Sequence, residues 1–250
     1  VSPEVRGARG AIVVVAGASA ASGVATVAAL RAAGATAIAV GTSEDHLARA
    51  FGPADPDDGV PQRVCDLADF AAVQSLAAEL RETFGAVDGV AHLVGGWRGG
   101  HSLSDQSDED WDFLARTGIT TLRNTSRAFY EDLLASPRGR FAMVSSTLIE
   151  HPRAGYANYA AAKAAAEAWT RAMARGFASD QSERAGDAAP LMSAAVVLAV
   201  KALLDNEMLA TQPGRRFPGY THVDALAGRI VALFTENAVA INGARLDLTI

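Results

Sequence analysis

The stretch Ala11-Ile12-Val13-Val14-Val15-Ala16-Gly17-Ala18-Ser19-Ala20-Ala21-Ser22-Gly23 decides how the rest of the chain is read. Its opening is a continuous, mostly β-branched run, the mark of a strand buried on both faces of a parallel sheet. The run meets a glycine-bearing turn and then an Ala/Val/Leu helix to about Ala33. Strand, glycine turn and helix in that order put a pyrophosphate on the free N–H groups of a helix N-terminus. Gly17 permits the tight turn and Gly23 a close approach of backbone and phosphate. Ser19, Ala21 and Ser22 lie between them as further candidate contacts.

Outward from this turn, apolar runs and helical stretches alternate. Ala35–Val40 predicts a second strand, ending in Gly41-Thr42-Ser43. An NAD enzyme built on such a turn usually keeps an acid about 20 residues past the glycines for the ribose hydroxyls. No acid stands there, and no arginine for a 2′-phosphate. Thr42 and Ser43 are the ribose-side candidates, and the absent acid tilts the reading toward NADP, with NAD as the alternative. Glu44 and Asp45 read as first-turn charges of the helix that carries His46 and Leu47. Phe51–Pro61 is a Pro/Asp/Gly loop. Gln62–Cys65 is a short strand ending at Asp66-Leu67, where Asp66 is also a candidate helix N-cap. A helix follows from about Phe70 to Phe84. Val87–Val94 predicts a fourth strand with His92 as a core histidine. It runs into Gly95-Gly96-Trp97-Arg98-Gly99-Gly100, whose glycines let the backbone lie against a cofactor. Trp97 either covers a planar substrate or packs on an apolar wall. Ser107–Asp110 caps a long helix with an apolar face of Trp111, Phe113, Leu114, Ile119 and Leu122. A further helix spans Thr125–Leu134.

Phe141–Val144 is another buried strand, closed by Ser145-Ser146. Alanine, the best helix former, dominates from Ala157 to Ala168. Within that run, Tyr159 and Lys163 stand four apart and so share a helix face. A free tyrosine titrates near about 10, and a nearby ammonium favours its phenolate. Such a phenol can exchange a proton with a carbonyl or alcohol oxygen. A serine hydroxyl at the strand's end, Ser146, can hold the same oxygen, with Thr147 beside it on the substrate side. The helix runs to about Phe177, and Ser179–Pro190 reads as a polar loop. Ser193–Val200 is the sixth strand, Leu209–Tyr220 a lid, His222–Phe234 a helix and Ile241–Leu248 the last strand.

The chain has 250 residues, half of them apolar, with net charge −6 and no basic block. That bounds one sizeable α/β domain and argues against a nucleic-acid or anionic-membrane surface. The lone Cys65 excludes an internal disulfide and fits a reducing compartment. With no secretory leader and no apolar run near the ~20 residues of a spanning helix, a cytoplasmic protein is expected. No cluster of His, Cys and acids has ligand spacing, so no metal is expected. His101 and His151 read as solvated surface residues.

Taken together, the glycine turn, Ser146 and Tyr159-x-x-x-Lys163 resemble the short-chain dehydrogenase/reductase family, over almost the whole chain from Ala11 to Leu248. The resemblance implies one Rossmann-type domain over residues 1–250, a doubly wound parallel α/β sheet of about seven strands, with residues 1–10 a flexible amino terminus. It implies NAD(P)H-dependent reduction of a small carbonyl, or the reverse alcohol oxidation. Tyr159 would supply the proton, Lys163 would lower its pKa and hold the ribose, and Ser146 would position the oxygen. It also implies adenine-side contacts at Asp66 and Leu67, cofactor contacts at Gly95 and Gly96, and an Asn206 contact to the nicotinamide amide. Family members pair helices across two-fold axes, so a homodimer or homotetramer is expected.

The chain departs from the family pattern at Ala21, the middle glycine, and at Gly118, where an asparagine belongs. It also lacks Asn-Asn-Ala-Gly after the fourth strand and Pro-Gly after the sixth. Gly95-Gly96-Trp97-x-Gly99-Gly100 and Leu204-Asp205-x-x-Met208 are similar to the quinonoid dihydropteridine reductases of the same superfamily, which also lack that asparagine. That similarity implies Trp97 and Met208 against a planar heterocycle. A nucleotide sensor without turnover is the third reading.

Overall fold

The computed structural model describes residues 7–53, 59–185 and 190–249. In chain order the strands are β1 (Ile12–Ala16), β2 (Thr36–Gly41), β3 (Gln62–Val64), β4 (Gly89–His92), β5 (Arg140–Ser146), β6 (Ala194–Val200), β7 (Leu203–Leu204), β8 (Thr221–His222) and β9 (Arg245–Asp247). The α-helices are α1 (Ala21–Ala32), α2 (Glu44–Phe51), α3 (Phe70–Phe84), α4 (Asp108–Leu114), α5 (Thr121–Ala135), α6 (Ala157–Ala185), α7 (Asn206–Thr211), α8 (Val223–Ala232) and α9 (Ala238–Ile241). Seven strands form one sheet in the order β3-β2-β1-β4-β5-β6-β9, and its pairings are parallel. β7 and β8 pair separately beside it. The strand order reverses at β1, and ligands of open parallel sheets bind beyond the carboxyl ends of the strands at such a point.

Alternation along each strand sends successive side chains to opposite faces, so the continuous apolar runs build two cores. Val14, Ile38, Val90, Phe141, Met143 and Val197 pack with Leu76, Leu122, Phe129 and Phe177 under α3, α5 and α6. Val13, Val15, Ala39, Val196 and Leu198 pack with Val27, Leu30, Leu226 and Ile230 under α1 and α8. Arg140 opens β5 buried, yet its guanidinium donates to the carbonyls of Leu233, Gly139, Met192 and Glu236, which satisfies it. Among the described residues no helix is long and apolar enough to cross a membrane.

Besides the shorter β4 and the unexpected β7, β8 and α7, the last of which reaches into the expected lid, three further elements differ from the sequence reading. The helix begun at Ser107 does not run straight through Leu122: α4 ends at Leu114, a π-helical stretch covers Ala115–Thr120, and α5 follows. Thr117, Thr121 and Thr125 each donate a hydroxyl to the carbonyl four residues back, a pattern that bends helices. Second, α6 continues beyond Phe177 through the expected polar loop to Ala185. Its polar residues are held by tertiary partners: Tyr130 donates to Asp180, and Gln181 donates to the Leu134 carbonyl and Ser193 Oγ. Third, the last strand shrinks to Arg245–Asp247, because α9 and a turn at Gly243 use the residues before it. Of the expected flexible amino terminus, residues 1–6 lie outside the described residues. Residues 7–10 are tied down, with Ala8 buried, Gly10 bonded to Gly34, and Arg138 donating to the Gly7 and Arg9 carbonyls.

Candidate active site

The turn after β1 is built for close approach. Gly17 takes φ +82°, and a Cβ at Gly23 would sit 2.5 Å from Ala18 Cα and from the Gly17 and Ala18 carbonyl oxygens. Ala21 opens α1, and its N-cap, Ala20, offers no side-chain cap. The first N–H groups of α1 therefore have no competing side-chain acceptor, and the turn fits a pyrophosphate. Beside it runs a groove of about 940 Å³ lined by Ser19, Ala21, His46, Arg49, Asp205 and Asn206, among others, within the size range of small-ligand sites. The groove therefore brings Ser19, Ala21 and Asn206 together. It also adds Arg49, which the sequence reading missed. Arg49 Nε donates to the Asp45 carbonyl at 3.1 Å, and the guanidinium makes no ion pair among the described residues. The three-residue spacing of His46 and Arg49 puts both on one helix face, a signal that was open to find.

Other cofactor-side candidates take different work. Ser43 caps α2, its Oγ accepting from His46 N–H at 3.4 Å, while Thr42 is exposed. Asp66 accepts from the Ala68 N–H and from Arg116, at 2.9 and 2.6 Å. The N-cap of α3 is Asp69, not Asp66. Leu67 is buried, and its carbonyl accepts from Asn124. Gly95 lies close to Lys163, a Cβ there falling 3.5 Å from Nζ. Gly96 is glycine for packing: a Cβ would strike the Phe113 ring at 2.3 Å. The Gly95–Gly100 run thus serves mainly to seat its loop on α4 and on Tyr156, which lies under Gly99.

The catalytic candidates converge where β5 ends and α6 begins. Ser146 is the last residue of β5 and is buried. Its Oγ accepts from the Leu148 N–H at 3.2 Å, across the short turn that starts at Thr147. Half-buried Tyr159 opens the facing end of α6, and the Ser146 hydroxyl favours its ionised form. Lys163 Nζ lies 6.0 Å from the centre of the Tyr159 ring and donates to the Val144 carbonyl at 2.8 Å.

Lys163 does not lower the Tyr159 pKa as its spacing leads one to expect. Burial raises the phenol above its ordinary value, and the Ser146 hydrogen bond opposes that rise. Lys163 is the group brought down, to about 8, by burial, with the Glu167 carboxylate acting the other way. A neutral phenol beside an amine that is still mostly protonated suits proton donation to a carbonyl oxygen near neutral pH. Arg245 braces this corner: its guanidinium pairs with Glu167 at 3.0 Å, with Glu150, and donates to the Ser146 carbonyl at 3.2 Å.

Trp97 is 58% exposed and meets Tyr156 edge-on at 5.7 Å, so it does not pack on an apolar wall. Met208 is half-buried on α7, whose N-cap is Asp205. Gly118 lies in the π-helical stretch with no atom within 4 Å of a Cβ placed there. His92 is buried, as expected of a core histidine. Cys65 is buried and free, pushed up to about 11 by burial and by Asp66 and Asp69, which makes it a poor nucleophile. Among the described residues no group of three or more His, Cys, Asp or Glu could hold a metal ion.

A family model for short chain dehydrogenases matches residues 11–182. The 3-oxoacyl-acyl-carrier-protein reductase of Escherichia coli is 31% identical over 170 residues, 68% of either chain. A gluconate 5-dehydrogenase from Burkholderia cenocepacia, solved with NADP and tartrate, superposes with a TM-score of 0.75 at 22% identity, covering 96% of this chain and 94% of that one. An NAD+-bound xylitol dehydrogenase superposes at 0.78 with 17% identity, covering 96% and 98%.

Proposed function

The chain belongs to the short-chain dehydrogenase family, and from that premise we propose that it transfers hydride between NADP(H) and a small carbonyl or alcohol. The observation that carries the reading is the junction of β5 and α6, where Lys163 lies beside the Tyr159 ring and bonds the Val144 carbonyl two residues before Ser146. A nicotinamide cofactor would supply or accept the hydride. Ser19, Ala21, Ser22 and the glycines would hold its pyrophosphate, and Asn206 would lie toward its amide. Ser146 holds the substrate oxygen. Tyr159, kept neutral by burial, gives that oxygen its proton in reduction and takes it back in oxidation. Lys163 places a positive charge next to the pair below about pH 8.

NADP is favoured over NAD on two grounds. No acid stands at Gly41 or Thr42 to repel a 2′-phosphate, and Arg49 offers a guanidinium on the same groove. The solved relatives bind either cofactor, NADP in the gluconate 5-dehydrogenase and NAD+ in the xylitol dehydrogenase. A cytoplasmic location and a homodimer or homotetramer belong to the same proposal.

A second reading rests on Trp97. An exposed indole edge-on to Tyr156 offers a flat face to a planar heterocycle, which favours quinonoid pterin reduction. Oxidation of NADPH and NADH followed over ketones, quinones and quinonoid pterins separates the readings. Turnover of a ketone supports the first, and turnover of a pterin alone supports the second. Tight NADPH binding with no turnover across the panel would leave the nucleotide-sensor reading instead.

A further inference from the structure

Two buried polar atoms near Lys163 have no hydrogen-bond partner among the described residues: His92 Nδ1 and Ser145 Oγ. The side chains are 2% and 1% exposed. Sheet register brings them together. His92 stands level with Met143 on the neighbouring strand. Met143 and Phe141 face α5 and α6, and Ser145, two residues on from Met143, shares that face. With strands about 4.8 Å apart and a rise of about 3.3 Å per residue, the Cα atoms of His92 and Ser145 are separated by about 8 Å. Lys163 reaches the same place from α6, since its ammonium bonds the carbonyl of Val144, the residue between Met143 and Ser145. Its charge is also felt at His92.

The donors and acceptors here are specific. Thr121 Oγ1 gives its proton to the Thr117 carbonyl at 2.6 Å. The 3.2 Å contact between His92 Nε2 and Thr121 Oγ1 therefore takes its proton from the imidazole. That makes Nδ1 the bare acceptor. Ser145 Oγ can donate or accept. Lys163 has three N–H donors, of which Val144 takes one. An imidazole lone pair, a hydroxyl and an ammonium with spare donors are the two to four polar partners that a buried water requires. The π-helical stretch that carries Thr117 and Gly118 packs on α6.

We propose that His92 Nδ1 and Ser145 Oγ hold a buried water molecule against Lys163, and that this water solvates the Lys163 ammonium from below. His92 and Ser145 are then positioning residues that act through Lys163. The inference rests on the role given to Lys163 above, but its test needs neither cofactor nor turnover. The titratable groups facing Lys163 are Tyr159 and Glu167 on α6 and His92 on β4. The variants below leave the two α6 partners in place.

The experiment is an NMR titration of Lys163 in the whole, unliganded protein, labelled at lysine Cε and Nζ. Wild type is compared with His92→Leu, Ser145→Ala and His92→Gln. Removing an acceptor from the water strips solvation from the ammonium. The Lys163 midpoint should fall by about 0.5 to 1 unit in His92→Leu and in Ser145→Ala. His92→Gln, whose amide oxygen can accept, should recover most of the fall. A midpoint that stays put in Ser145→Ala overturns the proposal, even if His92→Leu fails to fold, because Ser145 Oγ bonds no described residue. Equal midpoints in His92→Gln and His92→Leu also overturn it. A protein that titrates as expected but oxidises no NADPH would count against the enzyme reading and leave the water site standing.

Discussion

Removing Arg245 tests whether the last strand braces the catalytic corner. Glu167 is 1% exposed, and Arg245 Nε lies 3.0 Å from its carboxylate. Arg171 also approaches Glu167, but only to 3.6 Å and from a largely exposed position. Breaking a buried pair by deleting one partner costs about 3–5 kcal/mol, because the survivor is left charged and desolvated. Arg245 keeps a fifth of its side chain in solvent, so the lower end, about 3 kcal/mol, applies to Arg245→Met. In a chain of this size each kcal/mol moves the melting temperature by about 2–4 °C, which gives a fall of about 6–12 °C. The assay is calorimetry on wild type, Arg245→Met, Glu167→Met and the double Met variant. Replacing both members of a buried pair with apolar residues is often neutral or better, so the double variant should regain most of the loss. Its turnover should stay low, because the Ser146 carbonyl has lost its Arg245 donor. A single variant that melts within about 2 °C of wild type, or a double variant no more stable than Arg245→Met, refutes the reasoning.

Four further outcomes are expected. Tyr159→Phe removes one oxygen and should lower turnover by about 100- to 10,000-fold while leaving the NADPH dissociation constant near wild type. Unchanged turnover would move the proton-donor role elsewhere. Lys163 is charged below about 8 and neutral above it, so reductive turnover should decline as pH rises through that value, read from a pH profile of kcat. A flat profile from pH 7 to 9 would go against the assignment. Gly41→Asp should shift preference from NADPH toward NADH in paired binding titrations; the atoms nearest the new Cβ belong to the Leu47 side chain, at 3.2 Å, and a small shift of that side chain accommodates it. The alanine face of α6, where Ala157, Ala160, Ala161 and Ala164 line a groove of about 400 Å³ with Ile149 and Pro152, should be covered by a second copy. Light scattering at micromolar concentration should report a dimer or tetramer, and a monomer mass would exclude this.

What the sequence alone determined is local. A β-branched run, a glycine turn and an alanine-rich helix are set by the conformational preferences of neighbouring residues. The alternation of such segments determined a parallel sheet covered on both faces, and the i, i+4 spacing put Tyr159 and Lys163 on one helix face. The tertiary structure decided whatever depends on residues distant in the chain. α6 outruns its polar sequence because Tyr130, Leu134 and Ser193 hold Asp180 and Gln181. Gly96 is glycine because Phe113 lies on it, and Arg245 matters because β9 ends beside Ser146 and Glu167. The protonation of the site belongs to the same class. Spacing predicted a phenol lowered by its lysine, but burial is a property of the whole packed chain. Here burial raises Tyr159, lowers Lys163 and strands His92 Nδ1 beneath them. Desolvation depends on what surrounds a group in three dimensions, and no spacing along the chain encodes it.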